Sequence, residues 1–335
     1  MVTSLDESLM RHALNEAWKY QGLTFPNPAV GAVVSDETGK IVGVGAHQKA
    51  GMPHAEVLAL KQAYRLLSGD ERIDTLQNSS DIHTFLSQNH TNLFHTLTLH
   101  VTLEPCHHYG KTPPCSELIY TLGLKRVVIG MQDKSLNAKG GAAFLHVKGV
   151  EVDFDCLQEA CEELLIPFTC KENKEPFTFF KLALSANGVA TGGLISSLES
   201  RTMVHRLRDC CDLLVIGGNT VRIDKPILDA RLCQGKAPDI LIYSHSKSFD
   251  SHIPLFHVEN RNVFIETTLE KMKEYAFVMI EGGQGMLDAI KNDVKWYLIF
   301  RSPKIKEGKS IELPEDLREV FSQKIGEDTM SWYVR

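Results

Sequence analysis

No apolar run in this chain of 335 residues reaches membrane-spanning length, which excludes a helical membrane span. Clustered Lys and Arg are also missing. With 36 Lys and Arg against 42 Asp and Glu, the formal net charge is −6. A chain without a basic run lacks the phosphate-neutralising contacts that nucleic-acid binding needs. The opening residues, MVTSLDESLMRHALNEAW, do not have the charged-then-apolar layout of an export signal. The eight cysteines show no regular spacing, so a disulfide framework is not expected; reduced thiols in the cytoplasm are. Internal repeats and low-complexity tracts are absent as well.

What remains is an ordinary globular composition, 43% hydrophobic and 23% charged, in a length that favours two domains. The first residues read as an amphipathic helix with Leu5, Leu9, Ala13 and Ala17 on one face. AVGAVVSDETGKIVGVGAH reads as a hairpin turning at Glu37-Thr38-Gly39. HAEVLALKQAYRLL carries Val57, Leu60, Tyr64 and Leu67 at helical spacing. Residues 69–95 are polar and poorly patterned, and are expected to be an insertion or a flexible loop. TLTLHVTL, CSELIYTLGL and RVVIGM then read as strand, helix and strand, an α/β layer pattern. VEVDF and CLQEACEELL lead to Pro167 and Pro176, where the boundary is placed. This predicts a first domain over 1–146, a connecting segment over 147–175 and a second domain over 176–335. The second half is a series of strands, FTFFKLAL, DLLVIGG, DILIYS, NVFIE, FVMIEGG and WYLIF, with a weakly patterned end. FVMIEGGQGMLDAI reads as strand, glycine loop and helix, an arrangement that offers backbone N–H groups to a phosphate.

One constellation carries chemistry. PHAEVLAL places His54 two residues before Glu56 at a helix start, and LEPCHHYGKTPPC holds Cys106 and Cys115. An imidazole and two thiolates supply three zinc ligands and leave the fourth position open, the catalytic rather than the structural pattern. Pro113 and Pro114 stop any helix in the loop and start a new one at Cys115. His54 and Cys115 are then both expected at helix N-termini, where the positive end favours thiolate. Glu56 is placed to move protons rather than to bind metal. The order H-x-E, P-C, C is that of zinc nucleobase deaminases, except that eight residues rather than two separate the cysteines. A structural site with His107 or His108 as fourth ligand is the competing reading. The other six cysteines read as small buried hydrophobes.

The whole chain resembles the bifunctional riboflavin-biosynthesis deaminase/reductase family. PNPAVGAVV at 26–34, HQKAGMPHAE at 47–56 and TLEPCHHYGKTPPC at 102–115 carry the first half. FKLALSANGVA at 180–190, VHRLRDCCDLLVIGGNTVRIDKPILDAR at 204–231 and IEGGQGML at 280–287 carry the second, more loosely. The resemblance implies a cytidine-deaminase-like three-layer α/β/α domain followed by a dihydrofolate-reductase-like α/β domain. It implies zinc-dependent deamination of a diaminopyrimidinone bearing a ribosylamino 5′-phosphate, then NADPH-dependent reduction of the ribosyl chain. A small phosphorylated pyrimidine is the expected partner, with a homo-oligomer and without nucleic acid or membrane.

By the same resemblance, His54, Cys106 and Cys115 are the zinc ligands and Glu56 the proton shuttle. Asn27, His47, His108, Lys111 and Asp133 are implied to contact the first substrate. Lys181, Arg208, Leu228, Arg231 and Glu281 are implied to contact the second, with the arginines on its phosphate. Asp224 lies by the reacting carbon, and Ala183, Thr220, Asp224, Gly283, Gln284 and Gly285 line the NADPH site. The sequence departs from the family at Lys134-Ser135, usually Pro-Asn. It departs again at Asn187 (usually Asp), Val189 (usually Arg) and Lys225 (commonly Asp), and in a shortened 188–195 stretch without the usual Trp. These departures leave a second reading open, in which only the deaminase works and the second half is a scaffold.

Overall fold

The structure is a computed structural model that describes residues 1–110, 113–134 and 140–335. It divides into two compact units, Met1–Glu172 and Asn173–Arg335. The first is built on a five-stranded sheet. In chain order the strands are β1 (Gly31–Ser35), β2 (Ile41–Ala46), β3 (Thr98–Leu103), β4 (Arg126–Met131) and β5 (Glu151–Asp153), and their order in the sheet is β2-β1-β3-β4-β5. The expected hairpin is β1–β2, and β3, β4 and β5 run parallel.

Helix α1 (Ser4–Trp18) starts with a capping box: Thr3 Oγ1 accepts the Asp6 N–H while the Asp6 carboxylate accepts the Thr3 N–H. Leu9, Ala13 and Ala17 are buried, whereas Leu5 is 46% exposed. Its methyl groups lie over Gly39 in the β1–β2 turn, beyond the end of the core. Glycines set how close the helices come. A Cβ on Gly31 would meet the Ala13 carbonyl of α1 at 1.9 Å; one on Gly45 would meet the Ala55 carbonyl of α2 (Ala55–Ser68) at 2.4 Å. Gly31 pairs with Ala46 and Ala32 with Gly45, so these two glycines point to opposite faces. Helices α1 and α2 therefore cover opposite sides of the sheet, which gives the three layers.

Residues 69–95 are not a loop. They form a 3₁₀ turn at Glu71–Thr75 and helix α3 (Ser79–Asn89), capped by Asn78. Ile73, Ile82, Leu86 and Phe94 are wholly buried, and α3 packs on α2 and on α4 (Cys115–Leu122). Four anchors in a polar stretch hold it, too few to show a period.

Nor are residues 147–172 a connector. After α5 (Gly141–Val147) they contribute β5 and then α6 (Gln158–Glu172), which runs straight through Pro167. Cys161 of α6 lies directly over Gly130 of β4, where a Cβ would come within 2.3 Å of its sulfur. Burial of Cys161, Leu164, Leu165 and Pro167 outweighs the helix bond that proline cannot donate.

The second unit is an eight-stranded sheet. Its strands are β6 (Phe177–Leu184), β7 (Leu213–Gly217), β8 (Asp239–Tyr243), β9 (Val263–Glu266), β10 (Phe277–Glu281), β11 (Trp296–Arg301), β12 (Arg318–Ile325) and β13 (Asp328–Val334). The order is β12-β13-β11-β6-β10-β7-β8-β9, parallel from β11 to β9. The weakly patterned end is a hairpin, β12–β13, that adds the buried Trp332 and Met330. Helices α7 (Leu198–Cys210), α8 (Gly218–Asp224) and α9 (Gln284–Ile290) connect the parallel strands.

A buried ionic group pins α1 to its sheet. Asp6, 3% exposed, accepts from His100 Nε2 at 2.9 Å and from Arg126 Nη1 at 2.8 Å, and Arg126 reaches on to Asp153 at 2.6 Å. Burial opposes ionisation of Asp6, but bonds from Arg126, His100 and Thr3 hold its carboxyl well below the usual carboxylate range. A depressed folded-state pKa contributes stability above the unfolded value of about 3.9, and that contribution is lost as pH falls below it. Asp6→Asn is expected to destabilise the first unit at pH 7 by about 3 kcal/mol, the low end for breaking a buried pair, since Arg126 keeps Asp153. In urea unfolding, the gap between variant and parent should narrow from pH 5 to pH 3. A constant gap would remove Asp6 ionisation from the account.

Candidate active sites

The α2 and α4 N-termini meet in the first unit. His54 is the N-cap of α2 and Cys115 the first residue of α4, with Pro114 as its cap. Cys106 arrives from the end of β3. His54 Nδ1 is 3.4 Å from Cys115 Sγ and 3.7 Å from Cys106 Sγ, and all three ligand atoms lie within 4.8 Å of one another. A tetrahedral zinc with bonds of about 2.3 Å to sulfur and 2.0 Å to nitrogen spaces its ligands about 3.6 Å apart, so the donor set fits that ion. The Cys115 N–H donates to Cys106 Sγ at 3.4 Å. The Cys115 thiol, this N–H and His54 all favour the Cys106 thiolate.

Among the described residues the cluster has three ligands. His107 is not a fourth: its Nδ1 bonds Ser116 Oγ at 2.8 Å and its ring stacks on Phe144. Ser116 Oγ in turn donates to the Cys106 carbonyl, which fixes the ligand loop to α4.

Asn27, His47, His54, Glu56, Cys106, His108 and Asp133 line one cavity of about 520 Å³. Cys115 lies behind it, 1% exposed, and Lys111 is outside the described residues. Glu56, 4% exposed, has its carboxyl pushed up to about 7 by burial. His47 Nδ1 is 3.1 Å from the Pro53 carbonyl and its Nε2 is 3.1 Å from Asn27 Nδ2. Burial lowers the His47 pKa to about 4, so the ring is neutral at pH 7. Its one N–H then goes to the carbonyl and Nε2 accepts from Asn27, which leaves the Asn27 amide oxygen as an acceptor.

Glu104, Phe168 and Glu172 are among the lining residues that sequence reasoning did not assign. Phe168 and Glu172 come from α6, the supposed connector. Glu104, inside the quoted TLEPC stretch, accepts backbone N–H groups of Asp133 at 3.1 Å, Gly140 at 3.1 Å and Ala142 at 2.9 Å. A carboxylate that ends a buried strand beside a ligand was the available signal.

In the second unit a cavity of about 650 Å³ opens at the C-terminal ends of β6, β10, β7 and β8, where open parallel sheets bind ligands. Lys181, Ala183, Thr220, Asp224, Glu281, Gly283, Gln284 and Gly285 line it. A Cβ on Gly283 or Gly285 would meet nothing within 4 Å, so this backbone is open to a cofactor phosphate. Lys181 and Glu281 are register partners on β6 and β10, 3.4 Å apart. Burial alone would raise the Glu281 carboxyl, but Arg208 and Lys181 bring it down to about 2.

Arg208, Leu228 and Arg231 are not among the lining residues. Arg208 spans both Glu281 oxygens, at 2.9 and 3.1 Å, and donates to the Asp229 carbonyl. Leu228 is buried, and Arg231 pairs with Asp229 at 2.5 Å. Lys225 pairs with Asp250. Asn187 exchanges two bonds with the Lys306 backbone, donating at 2.8 Å and accepting at 3.1 Å, which an aspartate could not do. Val189 is wholly buried and bridges to Ser310, where an arginine would bury a charge. The two departures thus answer to one loop, residues 304–310.

Fold and site define a zinc-binding deaminase unit followed by a nucleotide-dependent reductase unit. Two family models match accordingly: the cytidine and deoxycytidylate deaminase zinc-binding region over residues 3–131, and the RibD C-terminal domain over 176–311. The riboflavin biosynthesis protein RibD of Aquifex aeolicus is 32% identical over the full length of both chains. That of Mycobacterium tuberculosis is 31% identical over 86% of this chain and 81% of its own. A solved structure from Thermotoga maritima, a diaminohydroxyphosphoribosylaminopyrimidine deaminase/5-amino-6-(5-phosphoribosylamino)uracil reductase, covers 98% of each chain at 27% identity and TM-score 0.63. The chain belongs to the RibD family of riboflavin-biosynthesis deaminase/reductases, and it uses zinc and NADPH.

Two substitutions separate ligation from bracing. Cys115→Ser is expected to drop bound zinc from one per chain to near zero by metal analysis. Glu104→Gln should keep its zinc and raise the deaminase KM about tenfold, because its amide group replaces one carboxylate oxygen and then opposes either the Asp133 N–H or those of Gly140 and Ala142. Zinc loss in Glu104→Gln would contradict this division.

Proposed function

We propose that the first unit deaminates 2,5-diamino-6-(ribosylamino)pyrimidin-4-one 5′-phosphate and that the second reduces the ribosyl chain of the product to ribityl with NADPH. The observation that carries the reading is the shared cavity of His54, Cys106, Asn27 and a buried Glu56.

His54, Cys106 and Cys115 hold the zinc, which supplies Lewis acidity that brings the pKa of water towards ~7. Glu56 takes a proton from the attacking water and hands it to the ring nitrogen, then takes the second proton of that oxygen and hands it to the departing ammonia. Burial that opposes its ionisation suits a carboxyl that must both take up and release protons. The Asn27 oxygen accepts from the exocyclic amino group, and Asp133, placed by Glu104, from a second ring N–H. His108 and Lys111 contact the ribosyl phosphate arm.

In the second unit the Gly283–Gly285 backbone and Thr220 hold the cofactor, which supplies hydride. Lys181 and Glu281 face the sugar, and Asp224 stands beside the reacting carbon. Arg208 and Arg231 favour a phosphate. The eight free thiols fit a reducing cytoplasm, since oxidation of Cys106 and Cys115 to each other would remove two ligands.

A two-signal assay tests this reading. The parent enzyme with the diamino substrate should release ammonia and then oxidise NADPH. Glu56→Gln should keep one zinc per chain and lose ammonia release by about 10³-fold or more, within the range for a group serving as both base and acid. It should still oxidise NADPH when given the deaminated substrate. Full ammonia release by Glu56→Gln would sink the proton-shuttle role, and no NADPH loss in the parent would favour the scaffold reading.

A further inference from the structure

The turn at residues 226–231 carries Leu228 and Arg231 and receives Arg208, yet it is held in an unfavourable shape. Leu228 has φ +56°, the left-handed region that a branched side chain rarely adopts. Such a conformation persists only where surrounding contacts impose it.

Arg261 supplies those contacts. Its Nη1 donates to the Leu228 carbonyl at 2.7 Å; its Nη2 donates to the carbonyls of Ile227 at 2.7 Å and Leu255 at 2.5 Å. The Leu255 N–H donates to the Pro226 carbonyl, so the same clamp grips both ends of the residue pair before Leu228. Arg261 has no ion-pair partner among the described residues, and its Nε is buried without a hydrogen bond. Burial brings its pKa down to about 10, so it is still charged at pH 7. A guanidinium spent on three carbonyls, without a carboxylate, serves backbone shape rather than charge balance.

The same turn also holds the two arginines read above as binders of the substrate phosphate. Arg208 Nη1 donates to the Asp229 carbonyl at 3.2 Å, and Arg231 pairs with the Asp229 carboxylate. Asp229 follows Leu228 directly, so the Leu228 torsion sets where Asp229 holds the two cations. We propose that Arg261, remote in sequence from every family motif in the chain, is a positioning residue for reduction. By clamping the Ile227–Leu228 carbonyls it fixes the left-handed turn that presents Arg208 and Arg231 to the substrate phosphate. This rests on the reductase reading above.

The test uses the full chain and two substrates, the deaminated aminouracil with and without its 5′-phosphate, followed by NADPH absorbance. Arg261→Met is expected to raise KM for the phosphorylated substrate roughly tenfold, with kcat within about twofold, as for a loss of uniform binding. KM for the dephosphorylated substrate should stay within about twofold, and ammonia release by the deaminase unit should not change. Arg261→Lys, which keeps the charge and can reach one carbonyl, should fall between, and it carries the test if the methionine variant does not fold. An equal rise for both substrates would assign Arg261 to folding alone and overturn the proposal. So would an unmoved KM in both variants while the parent oxidises NADPH. A parent that oxidises none fails the reductase reading itself, and the inference with it.

Discussion

Two helices begin at one place in the first unit, and the deaminase chemistry depends on that meeting. The N-termini of α2 and α4 bring His54 and Cys115 within 3.4 Å, and the α4 backbone donates to the sulfur of Cys106. The Cys115 thiol, the α4 N–H and His54 favour thiolate at Cys106, whereas the bond to Cys106 and burial push the Cys115 thiol up. The approach is possible because Gly45 lets the first turn of α2 sit against the sheet, where any side chain would strike the Ala55 carbonyl. Glu56 occupies that same turn. Ligand and proton carrier are therefore placed by one contact, and the burial that lifts the Glu56 carboxyl to about 7 follows from it.

The second unit solves a related problem with charge. Its cavity sits at strand ends, and its carboxylate Glu281 is kept ionised by two cations, one on the adjacent strand and one on α7. Arg208 bridges from Glu281 to the Asp229 turn, and Arg261 holds that turn from behind. Three guanidinium groups thus share one short stretch of backbone with different tasks. The family departures at Asn187 and Val189 sit outside this arrangement. They fit the 304–310 loop through a donated amide hydrogen and an apolar contact, which gives the scaffold reading no support.

Much of the candidate site was legible because its chemistry is local. His54 and Glu56 are two residues apart, and the prolines before Cys115 force a helix to start there. The strand–glycine–helix run ending in Gln284 shows its use in its order. The elements that were misread lack local signals. Residues 69–95 have four buried anchors in a polar stretch, and α6 contains a proline that normally marks a stop. The β12–β13 hairpin is stable only beside β11. Phe168 and Glu172 reached the cavity through α6 and so were missed with it.

The amino-acid order by itself determined the ligand types, the proton carrier beside them, the two-domain α/β pattern and the family. Each of these follows from spacings shorter than a helix turn or from quoted motifs. Only the tertiary structure decided that Glu104 braces Asp133, that Arg208 answers to Glu281 before any phosphate, and that Arg261 clamps a left-handed leucine. Those contacts join residues 29 to 73 positions apart. Hydrogen bonds across such separations leave no periodic trace in a single chain; they exist only once burial has brought their backbones together.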